Sequence, residues 1–270
     1  MLAGAGRTLC GVLGHPVGHS RSPAIHNAAY EALGLDWRYV KLPVPPERFE
    51  ETVRALPASG YRGANVTIPH KLAALRIADA ATPAAAAIGA ANTLTFADGR
   101  IEADNTDAGG FLDALGRPVA GLRALVLGAG GAGRAVAWAL REAGASEVLV
   151  WNRTRERAEE LARDLGASVA DRPAPADLLV NATSMGLDPS VPDDDALAAL
   201  GLDALDPPEL VVDLVYRAGD ATPLVRWAPH AVDGLEVLVR QGARSFQLWT
   251  GRPPPLDAMR AAAGKTSTGT

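Results

Sequence analysis

The sequence predicts an α/β protein of two domains, and three observations predict it. Strand-like and helix-like runs alternate as β, α, β, α, β, α from Thr8 to Ile77, the order of a small α/β sheet. A second series opens at Ala124-Leu125-Val126-Leu127, which enters Gly128-Ala129-Gly130-Gly131-Ala132-Gly133 and leaves it through Arg134-Ala135-Val136-Ala137-Trp138-Ala139-Leu140; a further strand, Glu147–Trp151, follows at the distance a βαβ unit requires. The last long helix, Leu235 to Trp249, comes after the strands of that second series are used up, so it is expected to return to the first domain. The domains are therefore placed at 1–104 plus 235–270 and at 105–234, the second of Rossmann type.

Each element has a local cause. Thr8 to Leu13 reads as the first strand and Gly14-His15-Pro16-Val17-Gly18-His19 as a loop. Ser22 suits an N-cap and Pro23 the first helical position, and Ile25, Ala28, Ala29, Ala32 and Leu33 form an apolar stripe that Gly34 stops. Trp37 to Pro43 is a strand, Pro46 to Leu56 a helix and Tyr61 to Ile68 a third strand; Pro69 opens a third helix carrying Leu72, Leu75 and Ile77. Past an alanine run at 84–87, Asp98-Gly99 between Asn92–Phe96 and Arg100–Ala103 signals a hairpin. A linking helix, Thr106 to Leu115, begins just beyond the boundary near Asp104. The second domain continues with strands at Ser168-Val169, Asp177 to Ala182 and Leu210 to Tyr216. Pro192 to Asp195 and Pro207-Pro208 read as surface loops with solvated acids, and Lys265 to Thr270 as a disordered tail.

Composition narrows the chemistry. With 270 residues, 48% of them hydrophobic and 21% charged, the chain can build proper cores. A net charge of −5 gives no general attraction to nucleic acid or to anionic membranes, so an anionic ligand must be held by a local site. One cysteine, Cys10, excludes a disulfide framework and a thiolate metal cluster. Met1 to Gly6 is too short for a secretory signal and no apolar run is long enough to span a bilayer, so the cytoplasm is the expected compartment. His15 and His19 are four apart, but Pro16 and Gly18 break the helical face they would need; no metal is expected. The oligomeric state is not set by the sequence, and a homodimer is held open.

The candidate sites follow from residue types at defined positions. Glycines suit a backbone that turns sharply and approaches a phosphate, and the N–H groups opening the next helix point at the anion; Gly128, Ala129, Gly130, Gly131 and Ala132 are therefore expected to contact a dinucleotide. A glycine-rich loop in an alanine-rich chain is the plain alternative. Where the second strand ends, an NAD enzyme commonly carries an acid, yet this chain has Asn152-Arg153-Thr154-Arg155 with Arg157 further on. Guanidinium forks suit a 2′-phosphate, so NADP is the expected cofactor; the alternative is a solvated helix start paired with Glu156, Glu159 and Glu160. In the first domain, Ser20 and Ser22 converge on a helix start suited to a carboxylate, or Ser22 simply caps it. Lys71 lies in the first turn of a helix, where the dipole disfavours a cation, and Asn65 and Thr67 precede it at the end of a strand. Asp107, in the polar cluster Asp104-Asn105-Thr106-Asp107, would form a proton-transfer pair with Lys71 if the two meet; otherwise Lys71 is a surface charge and Asp107 a helix-start acid.

Taken together these residues resemble the shikimate dehydrogenase family. The resemblance is carried by Gly14-His15-Pro16, His19-Ser20-Arg21-Ser22-Pro23 with His26-Asn27, Asn65 to Lys71, Gly89-Ala90-Ala91-Asn92-Thr93 and Asp104-Asn105-Thr106-Asp107. In the second half it rests on the 128–133 turn, Asn152-Arg153-Thr154, Asn181-Ala182-Thr183-Ser184-Met185-Gly186, Asp213 to Tyr216 and Gly234 to Ala243. It implies reversible NADPH-dependent reduction of 3-dehydroshikimate to shikimate, on the route to aromatic amino acids. Ser20 and Ser22 would hold the substrate carboxylate with Thr67 close by; Asn92, Asp107 and Gln241 would hold ring hydroxyls, and Asn65 and Tyr216 would also contact the substrate. Lys71 would be the acid or base at the reacting oxygen, while Thr183, Ser184, Met185 and Gly234 would lie near the cofactor. Leu238 departs from the methionine that some relatives carry. An NAD-dependent quinate/shikimate dehydrogenase and a non-catalytic nucleotide sensor are the alternatives; the paired serines and Arg153 argue against the first, Lys71 with Asp107 against the second.

Overall fold

The computed structural model describes residues 7–217 and 219–264. The expectations for Met1–Gly6 and for the tail from Lys265 lie outside the described residues. Two compact units result: residues up to Thr106 with those from Gln241 onward, and residues Asp107–Arg240. The chain passes from one to the other inside helices, so neither division falls at a loop.

In the first unit the chain runs β1 (Thr8–Gly14), α1 (Ser22–Ala32), β2 (Trp37–Pro43), α2 (Phe49–Ala55), β3 (Tyr61–Val66), α3 (Lys71–Ile77), β4 (Ala80–Ala81), α4 (Pro83–Ile88), β5 (Thr93–Ala97) and β6 (Arg100–Asp104). The sheet order is β2-β1-β3-β5-β6-β4. β1 pairs in parallel with β2 and β3, while β5 runs antiparallel to both β3 and β6. The Asp98-Gly99 hairpin forms as expected: both residues take the positive φ (52° and 73°) that a tight two-residue turn demands. Leu13, Phe49, Val53, Val66, Leu94, Phe96 and Ile101 form one apolar core on this sheet.

The helix α5 (Thr106–Leu115) leads into the second unit, with β7 (Arg123–Leu127), α6 (Gly131–Glu142), β8 (Glu147–Trp151), α7 (Arg155–Leu165), β9 (Ser168–Val169), β10 (Leu178–Asn181), α8 (Asp193–Ala199), β11 (Leu210–Asp213), α9 (Pro223–Trp227) and β12 (Ala231–Val232). The strand order β12-β11-β10-β7-β8-β9 is parallel throughout, the doubly wound arrangement predicted. Strands buried on both faces read as near-continuous apolar runs, as Leu125, Leu127, Leu179 and Val211 do here. The last two helices are α10 (Gly234–Thr250) and α11 (Leu256–Ala263). From Gln241 onward α10 belongs to the first unit, where the Trp249 indole donates to the Leu94 carbonyl at 3.1 Å. Gly63 makes room for it: a Cβ there would lie 2.2 Å from Trp249 Nε1.

Three local expectations are corrected. Ser22 is not the N-cap of α1 but its first residue; Arg21 precedes it with helical backbone (φ −92°, ψ −3°), and the Ser22 N–H is met by Ser20 Oγ at 3.3 Å. Pro69 does not open α3, because it lies in the Thr67–His70 turn closed by His70 N–H on the Thr67 carbonyl (3.0 Å), and the helix starts at Lys71. The acids after Pro192 form the first turn of α8 rather than a loop, placed where the dipole favours anions, and the Asp193 carboxylate is gripped by Arg226 at 2.6 Å.

Candidate active site

Polar side chains of the first unit gather past the carboxyl ends of β1 and β3. Thr67 donates its N–H to Leu13 O (2.9 Å) and His15 donates to Ile68 O (3.0 Å), which ties the two strand ends together. Ser20 Oγ and Ser22 Oγ stand 3.2 Å apart at the start of α1. The Lys41 ammonium donates to the Gly18 carbonyl and holds the loop that delivers them. His70, stacked on Phe49 at 4.4 Å and hydrogen-bonded to Val44 O at 2.7 Å, anchors the turn before α3; burial lowers its pKa. Lys71 is half-buried at the first position of α3, and its carbonyl accepts the Ala91 N–H (2.9 Å), which fixes the segment carrying Asn92.

Behind these residues lies a buried polar layer. Asn27 holds the Tyr39 main chain through both ends of its amide (2.9 and 3.0 Å), and Tyr39 O–H donates to Asn65 Oδ1 at 2.8 Å. Asn65 Nδ2 donates to Thr93 Oγ1 at 3.0 Å and to Asn92 O at 3.3 Å. The Thr106 N–H meets Asn92 Oδ1 at 2.7 Å, while Asn92 Nδ2 donates to Thr106 Oγ1 (3.0 Å) and to Gln241 Oε1 (3.2 Å). Asn65 and Gln241, 176 positions apart, thus share one network with Asn92. Tyr39 and Ser245 were missed by sequence reading. Only Ser245 left a signal, as a polar residue one helical turn after Gln241; it is buried, and its hydroxyl donates to Asn65 Oδ1 at 3.4 Å.

His26 packs among the rings of Tyr30, Tyr39 and Trp249. It is fully buried, stacked on Tyr39 at 4.3 Å, with both ring nitrogens unpartnered, and burial holds its pKa down to about 3. Among the described residues no group of His, Cys, Asp and Glu is placed to hold a metal ion.

In the second unit the glycine turn behaves as a cradle. Gly128 sits at φ +106°, and a Cβ on it would lie 2.9 Å from the Ala182 backbone; one on Gly133 would lie 2.0 Å from the Gly128 carbonyl oxygen. Around Gly130, by contrast, a Cβ would meet nothing within 4 Å. No side chain caps α6, so the N–H groups at its start, from Gly131 and Ala132, keep their anion-binding capacity. Asn152 closes the far side, its Oδ1 accepting the Ala129 N–H at 3.2 Å and its Nδ2 donating to Thr154 O at 2.8 Å. The neighbouring arginines divide. Arg155 is committed to Glu159 and Asp171, whereas exposed Arg153 and Arg157 have no ion-pair partner among the described residues. The solvated-helix alternative thus holds for Arg155. The residues present fit a dinucleotide that carries an additional phosphate.

A second loop pair is built on Asn181 and Asp213. Asn181 Oδ1 accepts from the Thr183 N–H (3.0 Å) and hydroxyl (2.7 Å), and Asn181 Nδ2 donates to Met185 O and Asp213 Oδ1. Burial pushes the Asp213 carboxyl up to about 6, against the hydrogen bonds from Thr222, Val215 and Asn181 that pull it down. Buried Arg217 donates to Gly186 O (2.6 Å) and Asp188 O (2.9 Å), which locks the Ser184–Asp188 loop beside the half-exposed Tyr216. Gly234 must be glycine on packing grounds: a Cβ would lie 2.5 Å from Val215 O. Asp107 occupies the second position of α5, in this unit, and Lys71 the first position of α3, in the other.

Three family models match the chain in order: the shikimate dehydrogenase substrate binding domain over residues 12–94, shikimate / quinate 5-dehydrogenase over 114–184 and the shikimate 5'-dehydrogenase C-terminal domain over 234–263. Shikimate dehydrogenase (NADP(+)) of Methanothermobacter thermautotrophicus is 44% identical, over 93% of this chain and 94% of its own. The chain belongs to the shikimate dehydrogenase family. Another family member, from Anaeromyxobacter dehalogenans, is 47% identical over 93% of this chain and 94% of its own. Among solved structures, the shikimate 5-dehydrogenase of Thermus thermophilus in complex with NADP(H) and shikimate is 44% identical with a TM-score of 0.81, covering 95% of this chain and 98% of its own. Shikimate dehydrogenase of Aquifex aeolicus, 34% identical, has a TM-score of 0.85 over 96% of this chain and 98% of its own. The matched ranges include the candidate residues: the first spans Ser20 to Asn92, the second the glycine turn and Arg153, and the third Gln241.

Proposed function

We propose that the chain catalyses the reversible NADPH-dependent reduction of 3-dehydroshikimate to shikimate, a step toward aromatic amino acids, in the cytoplasm. The observation that carries the reading is Lys71, a half-buried cation at the first position of α3, in the same unit as the serine pair and the Asn92–Gln241 network. A cation at that end of a helix dipole costs roughly 0.3–1 kcal/mol, so its place is explained by chemistry rather than by stability. Bound NADPH supplies the hydride.

The side chains of this chain do the rest. Ser20 and Ser22 present hydroxyl donors at the start of α1 to the substrate carboxylate, with Thr67 beside them and Tyr216 as a further donor. Asn92, Gln241 and Asp107 hold the ring hydroxyls. Asn65, whose N–H groups meet Asn92 O and Thr93 Oγ1, stands with them at the substrate and steadies Asn92. Lys71 Nζ gives a proton to the carbonyl oxygen as that oxygen gains charge and removes it in the reverse direction, with Asp107 as the second member of the pair. On the cofactor side, Gly128 to Ala132 cradle the diphosphate and Arg153 and Arg157 with Asn152 and Thr154 take the 2′-phosphate end. Thr183, Ser184, Met185 and Gly234 line the nicotinamide end.

Steady-state kinetics test the assignment. Lys71→Ala lowers kcat by roughly 10²–10⁴ with the shikimate KM within a few-fold. A variant with near-normal turnover removes the lysine from the mechanism. If the pair acts as a unit, Asp107→Asn in the Lys71→Ala background slows the enzyme little further; independent, multiplying losses would refute the pair.

A further inference from the structure

Asn92 is a planar amide whose two ends differ in polarity, and a ligand hydroxyl meets a donor or an acceptor according to which way the amide lies. Its orientation here is determined by a group that can only donate: the Thr106 backbone N–H, 2.7 Å from Oδ1. Asn65 is fixed in the same way, because Nδ2 faces the Asn92 main-chain carbonyl, which can only accept, at 3.3 Å. Between the two amides stands one hydroxyl. Thr93 Oγ1 lies 3.0 Å from Asn65 Nδ2, 3.1 Å from Asn92 Oδ1 and 3.0 Å from Thr106 Oγ1, and the residue is fully buried. A hydroxyl has one proton and two lone pairs. Since Asn65 Nδ2 must donate to it, its own proton goes to Asn92 Oδ1 or to the Thr106 hydroxyl that joins the same amide.

We propose that Thr93 is a positioning residue for the reaction: its hydroxyl links the Asn65 amide to Oδ1 of Asn92 and so holds the Asn92 amide, whose sense the Thr106 N–H sets, at the place where it meets the substrate. The inference rests on the reading of Asn92 as a substrate-binding residue. Replacing the hydroxyl by a methyl group keeps the volume, leaves an Asn65 N–H without its acceptor and removes a donor from Asn92 Oδ1. The Asn92 amide then keeps the Thr106 N–H at its carbonyl end and loses its link to Asn65 through the hydroxyl.

The experiment is a double-mutant cycle on the full-length protein, with kcat and KM for shikimate measured at saturating NADP. Thr93→Val is expected to lower kcat/KM for shikimate about tenfold with the KM for NADP within twofold, and Thr93→Ser to return it to within about threefold of the parent. In an Asn92→Ala background the same Thr93→Val change is expected to alter kcat/KM by less than twofold, because the residue through which it acts is gone. Equal factors in the two backgrounds, or a serine variant no better than valine, would overturn the proposal. Should Thr93→Val not fold, Thr93→Ala is carried through the same cycle and read in the same way. If Asn92→Ala alone has parental kcat/KM, the substrate role of Asn92 falls and the proposal with it; if Asn92→Ala is impaired and the cycle is additive, the role of Thr93 alone falls.

Discussion

Two glycines three residues apart in one turn should fail in opposite ways when each is given a methyl group. At Gly133 an added Cβ lies 2.0 Å from the Gly128 carbonyl oxygen and 2.9 Å from its carbon, so backbone rather than a flexible side chain must move by more than an ångström. Overpacking of this kind costs about 3 kcal/mol, the upper end of the usual range. For a chain of this size that lowers Tm by roughly 6–12 °C. At Gly130 the backbone is extended (φ −82°, ψ −174°) and a Cβ meets nothing within 4 Å, so alanine fits and, by reducing the freedom of the unfolded chain, raises stability by up to about 1 kcal/mol. That open space is where the diphosphate must come close. Losing one or two charge-assisted hydrogen bonds there corresponds to about a hundredfold in NADP affinity. Thermal unfolding with and without NADP reads both effects. At a ligand concentration a hundred times the parental Kd, NADP stabilises the parent by about 2.7 kcal/mol but Gly130→Ala by only about 0.4 kcal/mol. A Gly130→Ala protein that keeps full protection by NADP, or a Gly133→Ala protein as stable as the parent, would refute the reasoning.

Arg153→Ala should raise the KM for NADPH at least tenfold while changing that for NADH less than threefold; equal losses would contradict the phosphate role. Ser20→Ala and Ser22→Ala should each raise the shikimate KM with a smaller change in kcat, and a loss confined to kcat would argue against carboxylate binding. His26 gives a pH prediction. Its folded pKa, about 3, lies below the unfolded value of 6.5, so the neutral form is the one the fold accepts. The stability it contributes is complete above pH 6.5 and is lost as pH falls toward 3, by about 1.4 kcal/mol per pH unit. Denaturant midpoints at pH 7.5 and 5.0 should therefore show His26→Phe gaining about 2 kcal/mol on the parent at the lower pH. An unchanged difference would mean that the imidazole is not buried neutral.

What was legible in the sequence was local. The 128–133 turn announces itself because glycine, strand and helix stand next to one another, and Asp98-Gly99 because two positive-φ residues in a row have few other uses. Composition at the end of β8 was enough to suggest a phosphate, though not to show that Arg155 is spent on Asp171, 16 positions away. The start of α1 was misplaced by one residue because a serine that suits a cap and a serine just inside a helix look alike until the backbone of Arg21 is seen. Pro192 followed by three acids suits a loop as well as a helix start, and the tie to Arg226 that decides between them for α8 spans 33 positions. The polar layer was half visible. Asn65 and Asn92 were singled out, but Tyr39, 26 positions from Asn65, and Ser245, 180 from it, bear on the site only through contacts that the fold creates.

The first unit is completed from both ends of the polypeptide. Gln241, which accepts from Asn92, and Trp249, which plugs the space over Gly63, belong to its last segment. During synthesis from the N-terminus, every residue of the nucleotide-binding half leaves the ribosome before either of them does. The unit that is translated first is therefore completed last, since Gln241 and Trp249 can reach Asn92 and Leu94 only after residues 107–240 have been made.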